Sequence, residues 1–113
     1  MDKANILENL TYGDSKPAIA ILIDNAATKE IRIAFKSGQE MKEHKTKFPI
    51  VVHIIKGNID FGVNSERYNL KEGDIITLEP NVPHDLLAKA DSIVRLTLNK
   101  SDTISRVEKV INS

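Results

Sequence analysis

The chain contains no cysteine and no tryptophan, and its aromatic residues are only three Phe and two Tyr in 113 positions. Without thiols there is no disulfide staple, no thiolate metal site and no cysteine nucleophile, a composition that fits a reducing compartment. A charge surplus of either sign is also missing, since 16 Lys and Arg face 16 Asp and Glu. Balanced charge removes the basic excess on which phosphate-backbone binding depends, so no nucleic-acid partner is expected. No apolar run approaches the ~18 residues of a membrane span. The first ten residues mix charges among their apolar side chains and offer no signal-peptide core. We therefore expect one cytoplasmic domain over residues 1–113 with no membrane partner. It is large enough for a single core but not for a catalytic domain plus a lid.

What is present is a rhythm of short apolar runs broken by turns every eight to twelve residues, the pattern of an antiparallel barrel or sandwich. Residues 30–35 alternate cleanly, placing Ile31, Ile33 and Phe35 on one face, and Ile59, Phe61 and Val63 do the same. Residues 18–23 and 50–55 are apolar on both faces, as expected for strands covered on both sides by a sheet, a helix or another subunit. Further strands are expected at 75–78 and 93–98. Asn64-Ser65 predicts a tight hairpin, and Gly73 within Lys71-Glu72-Gly73-Asp74 predicts a turn with positive φ. Helical spacing occurs only at the ends. Ile6, Leu7 and Leu10 fit one turn, and a helix over 101–112 would present Ile104, Val107 and Ile111 on one face behind a Ser101 or Asp102 cap. The chain thus divides into an arm and strand at 1–29, a core at 30–98 and a terminal helix.

With no thiol, neutral-pH chemistry falls to His44, His53 and His84. His53, inside Ile50-Val51-Val52-His53-Ile54-Ile55, reads as a histidine packed at a sheet or subunit surface with its nitrogens satisfied. His44 and His84 sit at predicted strand ends, where side chains can point into a barrel mouth. Their surroundings resemble the two motifs of the cupin family. The first motif, Gly-x5-His-x-His-x3-4-Glu-x6-Gly, is matched by Gly38, His44, Thr46, Ile50 and Gly57. The second, Gly-x5-Pro-x-Gly-x2-His-x3-Asn, is matched by Gly73, Glu79, Asn81, His84 and Ala88. The resemblance implies an all-β, jelly-roll-like antiparallel barrel and a homodimer.

The departures from the motifs concern function. In the family, two histidines and the glutamate of the first motif and the histidine of the second converge on one metal, and the matching residues here are His44, Thr46, Ile50 and His84. A His-x-His pair closes on one ion because residues two apart on a strand lie about 6.6 Å apart on one face. Thr46 supplies only a neutral hydroxyl and Ile50 supplies nothing. Glu40, about 13 Å along a strand, is too distant to substitute. Glu43, Asp85 and His53 have the wrong parity unless a bulge intervenes. Lys42, two before His44, is expected on the same side, where an ammonium would favour an anionic ligand such as a carboxylate and oppose a divalent metal. The expected site is therefore a pocket of Lys42, His44, Thr46, Ile50 and His84 that holds a small molecule without transforming it. No cofactor and no catalytic residue are expected. The competing reading is a dioxygenase- or isomerase-type enzyme with zinc, iron, manganese or nickel on His44 and His84. Acid–base catalysis by either histidine alone is a third. Related barrels also serve as the ligand-sensing halves of transcription factors, but this chain has no recognition-helix pattern.

Overall fold

The computed structural model describes residues 1–100; the helix expected over 101–112 lies outside them. Nine strands follow one another: β1 (Ala18–Asp24), β2 (Thr28–Phe35), β3 (Glu40–His44), β4 (Ile50–Lys56), β5 (Asn58–Val63), β6 (Glu66–Lys71), β7 (Ile75–Leu78), β8 (His84–Ala88) and β9 (Ser92–Asn99). They form two antiparallel sheets, one ordered β1-β2-β9-β4-β7 and the other β3-β8-β5-β6. Among the described residues there is no helix, and the apolar N-terminal residues contribute only a turn at 6–9.

The alternation in the sequence assigns the faces. On the five-stranded sheet, Ile33 lies opposite Val94 and Val94 opposite Ile54. On the other, Phe61 lies opposite Leu86 and Ile59 opposite Ala88. These inward side chains, joined by Phe35, Val52 and Leu70, form one buried cluster between the sheets. Each large aliphatic or aromatic residue so removed from water contributes about 1.5–3 kcal/mol before conformational entropy is charged against it. The hairpin at Asn64-Ser65 forms as expected, with φ of 53° and 64°. Two successive positive values are what a two-residue turn needs to match the strand twist.

Two features lie outside the core. The N-terminal arm crosses the outer face of the five-stranded sheet. There Arg32 of β2, 5 % exposed, donates from Nη1 to the Ile6 and Glu8 carbonyls and from Nη2 to the Asn9 carbonyl. At the far edge, β1 overhangs the narrower opposing sheet. Ile19 and Ile21 pair with Ile33 and Ile31 and so face inward, yet stay 59 % and 58 % exposed.

Candidate functional site

His44 ends β3 and His84 begins β8, and the two are register partners. Their ring centroids are 4.4 Å apart, with the planes tilted by 59°. The His84 ring also stacks on Phe61 of β5, centroids 5.8 Å apart. This places the pair at one end of the core, directly above its aromatic floor.

The pairing depends on an irregularity in β3. Met41 lies opposite Leu86 and His44 opposite His84, so three residues of β3 span two of β8. An extra residue of this kind reverses the parity of everything beyond it. Met41 and His44 therefore both face inward, although an odd separation would ordinarily put them on opposite faces. The same shift corrects the expectation for Lys42. It is exposed and does not share the inward side of His44; its backbone carbonyl, rather than its ammonium, touches the ring. The remaining pocket candidates are also engaged elsewhere. Thr46 is half-buried and donates its hydroxyl to the Phe48 carbonyl at 3.0 Å. Ile50 is 2 % exposed and belongs to the core, between Leu78 and Leu98. Of the five candidates, the fold brings together His44 and His84.

Backbone geometry fixes the tautomer of both rings. His44 Nδ1 lies 2.8 Å from the Lys42 carbonyl, and His84 Nδ1 lies 2.9 Å from the Val82 carbonyl. A carbonyl only accepts, so each neutral ring carries its proton on Nδ1 and keeps a lone pair on Nε2. Burial pushes the His84 pKa below its ordinary value, and the neighbouring His44 pushes the same way. The Val82 carbonyl and the Asp85 carboxylate oppose both. The site is thus a pair of imidazoles whose Nδ1 atoms are engaged by backbone carbonyls, with His84 held neutral by burial.

Asn81 occupies the position where the second motif carries glycine, and its φ of 64° supplies the left-handed conformation that glycine would. Its backbone N–H donates to the Thr46 carbonyl at 2.6 Å, tying the approach to β8 to the segment after β3. A feature missed in the sequence adjoins the pair. β6 and β7, the free edges of the two sheets, leave an apolar cavity of about 210 Å3 between them, with Phe61, Val63, Leu70, Ile76 and Leu78 in its lining. Phe61 is a wall of this cavity and the stacking partner of His84, and Val63 lies opposite His84 in the ladder. No sequence signal announced the cavity, because it arises where two strands fail to pair.

A divalent ion at the pair would need at least three protein donors. Here there are two imidazoles, a hydroxyl already bonded to Phe48 and an aliphatic side chain. Among the described residues, no group of three or more His, Asp or Glu side chains converges on one point. The donor set does not fit a catalytic metal.

Two facing antiparallel sheets with a histidine pair at one end define a cupin-type barrel, and solved structures agree. A RmlC-like cupin protein from Desulfovibrio desulfuricans superposes with a TM-score of 0.81 at 20 % identity, covering 88 % of this chain and 97 % of that one. A conserved protein with a double-stranded β-helix domain from Klebsiella pneumoniae gives 0.79 at 16 % identity over 88 % and 90 %. A cupin superfamily protein from Desulfitobacterium hafniense gives 0.75 at 12 % identity over 88 % and 92 %. No curated protein matches the sequence. Residues 30–97 match the model of the AraC-like ligand-binding domain, and the chain belongs to that family.

Proposed function

We propose that the barrel binds a small organic molecule at the His44–His84 end without transforming it, on a metal site that has lost two of its ligands. The observation that carries this reading is the geometry of the two rings: each Nδ1 is occupied by a backbone carbonyl two residues away, which leaves Nε2 for a ligand, and burial keeps His84 neutral so that its Nε2 accepts. Such a site selects for hydrogen-bond donors. The adjoining apolar cavity, at about 210 Å3, exceeds the ~150 Å3 that accommodates a benzene ring. A neutral ligand with a hydroxyl at one end and an apolar body at the other matches both parts. The family's description as a ligand-binding domain supports a sensing role. A dioxygenase or isomerase centred on His44 and His84 would need a third ligand that neither Thr46 nor Ile50 supplies.

The test is a screen of neutral hydroxylated fragments, with phenol as the reference probe, followed by NMR on the full chain. Hits should perturb His44, His84 and Phe61 and bind at least about tenfold more weakly to His84→Ala, with Lys42→Ala unchanged. Hits that bind His84→Ala as well as wild type would overturn the proposal.

A further inference from the structure

A cavity of about 300 Å3 lies on the outer face of the five-stranded sheet, beneath the N-terminal arm. Ile6 of the arm, Leu22 of β1 and Ile55 of β4 form apolar walls, and Glu30, Arg95 and His53 supply its polar groups. The register sets Arg32, Arg95 and His53 side by side on β2, β9 and β4, a row of three basic side chains across the sheet. One carboxylate answers them. Glu30, its side chain 14 % exposed, accepts from Arg95 Nε and Nη2 and from the Thr97 hydroxyl.

That leaves donors unused. Arg95 Nη1 has no partner among the described residues, and neither ring nitrogen of His53 has one. His53, expected to be packed with its nitrogens satisfied, thus makes no side-chain hydrogen bond to another described residue. Among the described residues, Arg32 is held by backbone carbonyls alone, keeps a buried Nε without a partner and has no carboxylate against its charge. Cross-strand neighbours lie about 5 Å apart, so its positive field reaches the groove. Among the described residues, the local balance is two guanidinium groups against one carboxylate.

We propose that this groove is a second binding site, for a small organic monocarboxylate with an apolar body. The carboxylate takes charge-assisted hydrogen bonds from Arg95 Nη1 and from His53, and the body lies against Ile6, Leu22 and Ile55. The volume is about twice the ~150 Å3 that holds benzene, which suits an aromatic or branched acid. Glu30 is the intramolecular competitor for the same donors. This site is independent of the barrel mouth, from which the sheet separates it.

The experiment is an NMR titration of the full chain with benzoate, with benzamide as the neutral counterpart. Benzoate should shift the signals of Ile6, Ile55 and Arg95 and leave His84 unmoved, and benzamide should produce no saturable shift. Glu30→Gln should tighten benzoate binding severalfold by removing the competitor, a change of sign that a purely structural role for Glu30 would not give. Arg95→Met combined with Glu30→Gln, which leaves no unpaired charge, should weaken binding at least about tenfold relative to Glu30→Gln alone. Equal binding of benzamide, weaker binding by Glu30→Gln, shifts centred on His84, or no response because a second copy covers the groove would each overturn the proposal.

Discussion

His84 is 2 % exposed and neutral, and that has a consequence for acid stability. Its folded pKa is depressed below the ordinary 6.5 mainly by burial, so at mildly acid pH the unfolded chain binds a proton that the folded chain refuses. The sign follows: stability is fully present above pH 6.5 and is lost as pH falls below it. Urea midpoints measured at pH 7.5 and pH 5 should therefore drop more in wild type than in His84→Gln; equal drops would show that the ring does not titrate this way. Glycines separate strain from crowding in the same manner. Gly73, with φ of 92°, has nothing within 4 Å of where a Cβ would stand, so Gly73→Ala should cost backbone strain alone, about 1–2 kcal/mol. Gly57, with φ of 96°, would add a Cβ against the Asp91 carbonyl and 2.7 Å from Ser92 Cα. Gly57→Ala should cost more, about 3 kcal/mol or above, because backbone atoms cannot step aside. Chemical denaturation of the two variants measures the difference.

Strands with a continuous apolar run or a regular alternation were legible in the sequence: those expected at 18–23, 30–35, 50–55, 59–63, 75–78 and 93–98 form as β1, β2, β4, β5, β7 and β9 within one or two residues at each end. The three whose extents the sequence left unread have physical reasons to be silent. β6, Glu66 to Lys71, is an edge strand with only Leu70 buried, so it carries charge where a central strand carries Val or Ile. β8 is five residues long, and β3 contains the bulge, which destroys period two in the segment where the site begins. That bulge is also why the His44–His84 pairing was readable from motif spacing while the side taken by Lys42 was not. A related element-scale device is Gly62 on β5, over which the Arg67 guanidinium passes to reach Asp85 at 2.8 Å and Asp60 at 3.0 Å. A methyl group there would press on flexible side-chain ends and not on backbone. Gly62→Ala should therefore destabilise less than Gly57→Ala while making stability insensitive to moderate salt, readable from melting curves with and without added NaCl.

At the scale of the whole molecule, a sandwich with one overhanging strand exposes Ile19 and Ile21, and a second copy is the partner we propose for them. Sedimentation velocity should find a dimer in wild type and a monomer in Ile19→Lys combined with Ile21→Lys; a monomeric wild type would refute it. The fold itself admits both metal catalysis and pure binding, so the decision rests on its ligand positions. The absence of cysteine acquires its weight here, since no thiolate exists to stand beside the two histidines. Metal content of tag-free protein, measured beside His44→Ala and His84→Ala, tests this most directly. Wild type should hold well under a stoichiometric equivalent of zinc, iron, manganese or nickel, with no change in either variant. One equivalent of metal in wild type, lost in both variants, would contradict it.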